Sequence, residues 1–226
     1  GLWDDDRKIA WLARDRLGVK PMAYSMRGDT LAFASTVRAL ARAGFGNSVS
    51  PRAMARVLEF GFVPEDCAIY EGVRKLPPGC LLEWRAEAPA DVRVRRYWRQ
   101  PSMETQSIPF DEVVDQAEAL LLQAVRRRLD ADVPVAALLS GGIDSALVCW
   151  AMKELGANLK AFTAGTPGRA SDETAPARDT ARALGLDHHV LTLDTAAEPR
   201  SEELAHAYAE PFPCSSALGM LRLSKA

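Results

Sequence analysis

The sequence predicts an α/β protein made of two domains, on three observations. The first part of the chain alternates short apolar runs with turn signals, which is typical of antiparallel strands. The later part alternates apolar strands with amphipathic helices, which is the pattern of a doubly wound parallel sheet. Between them, residues 99–109 are polar and contain two prolines. We therefore predict one domain at residues 1–107 and a second at residues 108–226.

In the first domain, the apolar runs Ile9–Ala13 and Leu31–Ala34 are separated by turn residues, which predicts antiparallel hairpins. A helix is predicted after Pro51, with Ser50 as its N-cap. A further strand, Cys80–Trp84, follows a proline-rich turn.

In the second domain, apolar residues at helical spacing predict a first helix through Val113 and Ala124. Glycines and a serine mark the ends of the later helices, Gly156 after one and Ser171 and Gly185 around the next. The predicted order after the first helix is strand Val133–Leu139, helix Asp144–Leu155, strand Leu159–Ala164, helix Asp172–Leu184 and strand His189–Leu193.

Composition excludes several classes of protein. Hydrophobic residues make up 48% and charged residues 26%, as in ordinary globular proteins. The net charge of −2 lacks the basic excess of a nucleic-acid binder, and no apolar run reaches the roughly 20 residues that cross a bilayer. The cysteines show no C-x-x-C spacing, so we expect neither a zinc site nor a redox motif. Because no apolar run spans a bilayer and no signal-like segment opens the chain, we expect a cytoplasmic location. Gly1 opens the chain in the middle of a strand-like pattern, which predicts that the sequence is part of a longer one.

The segment Leu138–Ser145 carries the clearest chemical signal. It places two glycines and two serines, Ser140 and Ser145, between a buried strand and a helix. Glycines allow close approach of a ligand to the backbone, and free N–H groups at a helix start bind phosphate. Asp144 would repel phosphate directly, so we expect it to order the loop or to help hold Mg²⁺. A Gly-Gly pair alone usually marks only a turn, so the prediction of a phosphate site rests on the longer string Leu138–Ser145.

The string S-G-G-x-D-S at Ser140–Ser145 resembles the pyrophosphate loop of the N-type ATP pyrophosphatases, and it lacks the Walker pattern of kinases. Further blocks are similar to glutamine-hydrolysing asparagine synthetases of the class B type. They are Leu12–Pro21 with Phe33–Ser35, Val73–Gly79 with Arg96–Trp98, Phe162–Gly165, Asp172-Glu173, His188-His189, and Glu210–Phe212 with Ser215–Ala217. Thr36 departs from the acid common in the family.

This resemblance implies a fold for each domain. Residues 1–107 would be the C-terminal part of an N-terminal-nucleophile glutaminase domain of the αββα type. Residues 108–226 would be the N-terminal part of an ATP pyrophosphatase domain that is adenine nucleotide α-hydrolase-like.

The resemblance also implies the site. The ATP and pyrophosphate contacts would be Leu139, Ser140, Gly141, Gly142, Ile143, Asp144, Ser145 and Ala164, with Asp144 also toward Mg²⁺. Leu139 and Ala164 are expected to lie in the sheet core as well. Asp172, Glu210 and Ser215 are candidates for the substrate side.

The implied reaction is ATP-dependent amidation of aspartate to asparagine through a β-aspartyl-adenylate, with ammonia from glutamine. Alternatives are the same chemistry on another carboxylate, such as a peptide, a cell-wall precursor or a β-lactam precursor, and a non-catalytic scaffold. The family's N-terminal cysteine, second loop and lysine are not matched in this sequence. We therefore assign no catalytic residue and expect the 226 residues alone to be inactive. The expected partners are ATP, aspartate, and glutamine or ammonia, with a possible homodimer of the full-length protein.

Two further groups have structural and functional interpretations. Cys67 and Cys80 are internal and have no nearby histidine in sequence, which favours inert packing over a nucleophile. His188 and His189 are adjacent on a predicted strand and so point to opposite faces, which disfavours a two-histidine metal site.

Overall fold

The computed structural model describes residues 1–102, 107–170, 172–193, 201–212, 214 and 216–225. The chain folds into two compact units, Gly1–Met103 with Arg200–Cys214, and Glu104–Pro199 with Ser215–Ala226. The sheets of the first unit are antiparallel, and the sheet of the second is parallel. The predicted mixed α/β class is confirmed.

The first unit holds two antiparallel sheets, with strand orders β1-β2-β6-β7 and β4-β3-β5. Its strands are β1 (Leu2–Asp4), β2 (Ile9–Ala13), β3 (Ala23–Arg27), β4 (Thr30–Ala34), β5 (Val73–Lys75), β6 (Cys80–Arg85) and β7 (Arg93–Arg96). Its helices are α1 (Val37–Arg42), α2 (Pro51–Phe60) and, from later in the chain, α6 (Ser201–Ala207).

The predicted antiparallel hairpins are present in this unit. β3 and β4 form a hairpin around Gly28, which has a φ of 55°. β2 pairs with β1 and also with β6, which comes from much later in the chain. Leu12 on β2 lies opposite Leu82 on β6, and both are fully buried. Burial of these two side chains favours this pairing.

Helix α2 begins as its sequence predicts. The Ser50 hydroxyl accepts a hydrogen bond from the Ala53 N–H at 3.3 Å, and Pro51 occupies the first turn. Gly61 ends the helix with a φ of 81°, a conformation that L side chains rarely adopt.

A substitution in the β2–β6 core tests this packing. Leu82 belongs to a buried cluster with Leu12, Tyr24 and Leu76. We expect Leu82→Ala to lower the free energy of unfolding by about 2–5 kcal/mol, from lost burial and the cavity left behind. The exposed Leu58, 85% accessible, is the matched control, and Leu58→Ala should change the free energy of unfolding by less than about 0.5 kcal/mol. Urea unfolding measures both, and equal effects would contradict this core assignment.

The second unit is built around a parallel sheet with strand order β10-β9-β8. Its strands are β8 (Ala136–Leu138), β9 (Lys160–Gly165) and β10 (Asp187–Thr192). Its helices are α3 (Phe110–Leu129), α4 (Ile143–Glu154), α5 (Thr174–Leu184) and α7 (Ser216–Leu223). The predicted alternation of strand and helix around a parallel sheet is confirmed for these elements. A doubly wound sheet extending beyond them stays a prediction.

Several element boundaries differ from the sequence prediction by one to three residues, and those of β8 and α5 have a clear physical reason. β8 is shorter than the predicted strand at 133–139, since Pro134 has no N–H for a ladder hydrogen bond. Helix α5 begins at Thr174 and not at Asp172, because the Asp172 carboxylate instead accepts the Thr174 N–H from outside the helix. The predicted cap Ser171 lies outside the described residues, whereas the predicted end at Gly185 is confirmed.

The core of the second unit lies between its sheet and its helices α3, α4 and α5. It comprises Val125, Ala137, Leu139, Cys149, Ala151, Met152, Leu159, Ala161, Ala177 and Ala181. Leu139, the first residue of the glycine loop, is part of this core, so packing holds the start of the loop in place. Within the described parts of the chain, no helix combines the length and the apolar character needed to cross a membrane.

Candidate functional site

The loop Leu139–Gly142 connects the end of β8 to the start of α4. Gly142 is the N-cap residue of α4, with extended backbone angles (φ −88°, ψ 155°), and as a glycine it has no side chain to cap the helix. The first N–H groups of a helix have no acceptor inside it. The N-terminus of α4 therefore offers backbone donors and the positive end of the helix dipole to an anion.

The two serines of the loop form a small hydrogen-bond network. The Ser140 N–H donates to the Ser145 hydroxyl at 3.1 Å, and the two hydroxyl oxygens are 2.9 Å apart. The Gly142 N–H donates to the Ser140 hydroxyl at 3.2 Å, and the Ser145 hydroxyl lies 3.0 Å from the Gly142 carbonyl. The structure thus brings Ser140, Gly142 and Ser145 into one compact turn, which lies between a strand and a helix as the sequence predicts.

Gly141 lies at the tip of the loop against the start of α5. Its N–H donates to the Glu173 carboxylate at 3.2 Å. A Cβ atom added at Gly141 would lie 2.8 Å from the Pro176 ring, too close for any side chain. A hydrogen is all that fits there. This contact was not predicted, because no pattern in the sequence pairs Glu173 with Gly141.

The predicted adenosine contacts, Leu139 and Ala164, differ in exposure. Leu139 is 2% accessible and its side chain is in the core, as its alternative structural role predicts. Ala164 is half-buried on β9, on the face opposite the buried Thr163. Their contact with a nucleotide stays a prediction.

Asp144 lies in the exposed first turn of α4, after Ile143, which is 77% accessible. Asp144 and Ser145 also line a largely apolar cavity of about 410 Å³. No cluster of three or more His, Cys, Asp or Glu side chains suited to a metal exists among the described residues. Mg²⁺ in nucleotide sites usually takes only one or two protein carboxylates and completes its shell with phosphates and water. One carboxylate at Asp144 fits that donor set.

Asp172 holds the connection between β9 and α5. Its carboxylate accepts hydrogen bonds from the Thr174 hydroxyl at 2.6 Å, the Thr166 N–H at 3.2 Å and the Thr174 N–H at 3.3 Å. The Thr174 hydroxyl is the main reason that the pKa of Asp172 is lowered below 3.8. These bonds describe a structural role, and its predicted role toward substrate stays a prediction.

Glu210 belongs to the first unit. Its carboxylate pairs with the Lys75 ammonium at 2.6 Å and accepts the Ile69 N–H at 2.8 Å. It lines a cavity of about 350 Å³ that also includes Arg14. A role for Glu210 toward substrate stays a prediction, and Ser215 lies outside the described residues.

The cysteines and histidines take structural positions. Burial raises the pKa of the Cys67 thiol, and Cys80 is buried in the core, so neither is an activated nucleophile. His188 and His189 point to different surroundings, as predicted. His188 Nε2 is 2.7 Å from the Thr163 hydroxyl, whereas His189 pairs with Asp187. Sequence analysis missed the contact of His188 with Thr163, a polar residue within an apolar strand.

Both halves of the chain match known protein families. Residues 116–226 match the asparagine synthase family, and residues 1–98 match the glutamine amidotransferase domain. The glutamine-hydrolyzing asparagine synthetase 1 of Bacillus subtilis (strain 168) is 29% identical over 187 residues, which cover 83% of this chain and 29% of that protein. The protein named amidase chry2 of Gibberella zeae is 32% identical over 245 aligned residues, covering 100% of this chain and 36% of that protein.

A second Bacillus subtilis relative, glutamine-hydrolyzing asparagine synthetase 3, is 33% identical over 151 residues, or 65% of this chain and 24% of the relative. The chain thus spans between 24% and 36% of the length of these three relatives. The two family matches are consecutive and together include most of the 226 residues. The chain therefore belongs to the asparagine synthetase-type amidotransferases, with a glutamine amidotransferase part at residues 1–98 followed by an asparagine synthase part at residues 116–226.

Proposed function

We propose that Ser140–Ser145 binds the phosphates of ATP for the amidation of aspartate to asparagine, with ammonia taken from glutamine. The observation that carries this proposal is the uncapped N-terminus of α4 behind a glycine loop whose serines converge within 2.9 Å. Backbone donors and hydroxyls at a helix start match the chemistry of a polyphosphate. The tandem of amidotransferase and asparagine synthase matches supports the reaction class. A cytoplasmic location is part of the proposal.

The proposed reaction has two steps. A carboxylate oxygen attacks the α-phosphorus of ATP, the bond to the bridging oxygen breaks, and pyrophosphate leaves with the electron pair. Ammonia then attacks the acyl carbon, AMP leaves, and the amide loses a proton. The loop residues hold and orient the departing pyrophosphate, whose developing charge the α4 N–H groups stabilise. When bound, Mg²⁺ supplies positive charge to the phosphates, and Asp144 is the residue that would hold it.

Phosphate binding must compete with an existing contact at the loop tip. The Glu173 carboxylate accepts the Gly141 N–H, one of the donors proposed for phosphate. Two anions cannot share this single donor. We infer that Glu173 gives up this hydrogen bond when a nucleotide binds, which its exposed position on α5 permits.

A second candidate substrate class is a carboxylate other than aspartate. The amidase-named relative, 32% identical in an alignment that covers this whole chain, supports this candidate. Pyrophosphate release by the full-length protein, measured across aspartate, peptides and other small carboxylates, separates the two. Stimulation by aspartate alone supports asparagine formation, whereas stimulation by another carboxylate assigns the protein to the second class.

Isothermal titration with ATP and Mg²⁺ tests the proposed loop. We expect Ser140→Ala and Ser145→Ala to weaken ATP binding by about tenfold each, because each removes a hydroxyl from the compact turn. The exposed Ser107 is the matched control, and Ser107→Ala should leave the affinity unchanged. Failure of the unmodified protein to bind millimolar ATP would favour the non-catalytic scaffold.

A further inference from the structure

His188 and Thr163 connect all three described strands of the parallel sheet at the glycine loop. The Thr163 hydroxyl, 2% accessible, donates to the Leu139 carbonyl at 2.7 Å. His188 Nε2 lies 2.7 Å from the same hydroxyl oxygen. A hydroxyl has one proton to donate, and here it goes to the Leu139 carbonyl. Thr163 therefore accepts from His188, and this requires a proton on His188 Nε2.

The receiving carbonyl belongs to the peptide group that opens the loop. Leu139 follows the last residue of β8, and its N–H still donates to the Phe162 carbonyl at 2.8 Å. The peptide between Leu139 and Ser140 is held at both ends. Its carbonyl accepts from Thr163, and its N–H donates to the Ser145 hydroxyl at 3.1 Å. Rotation of this peptide would break both hydrogen bonds and change the direction of Ser140.

We propose that His188 is a positioning residue for the phosphate loop, acting through Thr163 on the Leu139–Ser140 peptide. This inference rests on the proposed ATP site for its functional consequence, and on the three strands alone for its structural part. His188 acts from the far strand β10, and it does not touch the loop itself. A loop held in this way before ATP arrives loses less conformational freedom on binding.

The surroundings of His188 favour an uncharged ring that keeps an N–H donor at Nε2. Burial, followed by electrostatic interactions with Arg178 and His189, lowers the pKa of His188 below 6.5. At neutral pH the ring is therefore uncharged, with its proton on Nε2. Protonation at lower pH adds a proton at Nδ1 and keeps the Nε2 donor. His189 is the natural comparison, because it is exposed, pairs with Asp187 and stacks on Phe162.

Substitutions of His188 in this chain test the proposal. His188→Leu should weaken ATP binding by about three- to tenfold through loss of one buried hydrogen bond, and His188→Gln, which keeps an N–H donor, should recover most of it. His189→Leu is the control and should leave ATP affinity unchanged. In a Thr163→Val background, His188→Leu should have no added effect, because its acceptor is gone.

Two readouts separate this proposal from the proposed ATP site. Nitrogen chemical shifts at neutral pH should show the Nε2–H tautomer of His188, and exchange of the Ser140 amide should become faster in His188→Leu but not in His189→Leu. The Nδ1–H tautomer, or unchanged Ser140 exchange and ATP affinity in His188→Leu, would overturn the positioning role. Faster Ser140 exchange in a protein that binds no ATP would support the positioning role and refute the ATP site.

Discussion

Asp144→Ala and Ser140→Ala should each reduce ATP-dependent amide synthesis by about a hundredfold or more, while glutamine hydrolysis stays near its original rate. Asp144 lies in the first turn of the helix that is proposed to face the phosphates and would hold Mg²⁺, and Ser140 lies within the network that shapes the loop. Loss of the carboxylate that would hold Mg²⁺, or of the hydroxyl that shapes the loop, weakens stabilisation of the charge that develops in the transition state and so lowers kcat. The match to the glutamine amidotransferase domain lies in the other part of the chain, at residues 1–98, so we expect glutamine hydrolysis not to depend on this loop.

The measurement compares release of AMP and release of glutamate by the full-length protein. Asp179→Ala is the matched control, since Asp179 is 75% exposed and forms a surface pair with Arg182. It should leave both rates unchanged. Equal loss of AMP and glutamate release in a folded Asp144→Ala protein would contradict the assignment of the two activities to separate parts.

Local signals in the sequence were enough to locate the loop and some helix ends. Ser50 and Pro51 act through their own backbone neighbours, so their roles at the start of α2 can be predicted from spacing alone. The serine and glycine string at 140–145 is likewise a local signal, and it lies between a strand and a helix as predicted.

Contacts between distant residues were not predictable in the same way. The pairing of β2 with β6 joins Leu12 to Leu82, and no turn signal indicates it. The contact between Gly141 and Glu173 depends on where α5 begins. The helix begins later than predicted, because the Asp172 carboxylate accepts the Thr174 N–H from outside it. Thr163 was visible as one hydroxyl in an apolar strand, but its partners come from two other strands.

The alternation of side chains along a strand predicted part of the arrangement of His188 and His189, but not which of them contacts Thr163. Alternation along a strand correctly separated the surroundings of His188 and His189. It could not state which of them faces the loop side of the sheet, because that depends on the register between β9 and β10. In the observed register His188 is paired with Ala161 and Val190 with Thr163, so the His188 ring must reach along the sheet to meet Thr163.

Gly141→Ala should weaken ATP binding by at least about tenfold and lower the free energy of unfolding by about 1–3 kcal/mol, as an overpacked site does. The added methyl would lie 2.8 Å from the Pro176 ring, which has no flexible end to move aside. Relief requires the loop tip to move away from α5, and that movement also breaks the Gly141 hydrogen bond to Glu173. Gly141 does not have a left-handed φ, so the effect is steric and not conformational.

Gly219→Ala provides the matched control, because a Cβ at Gly219 would meet no atom of the described residues within 4 Å apart from the nearby backbone of its own helix, α7. Alanine there should stabilise the helix by about 0.5–1 kcal/mol and leave ATP affinity unchanged. Urea unfolding and isothermal titration of both variants give the comparison. If Gly141→Ala binds ATP as well as Gly219→Ala does, the loop tip does not contact phosphate, and the nucleotide must be held by the α4 N-terminus without Gly141.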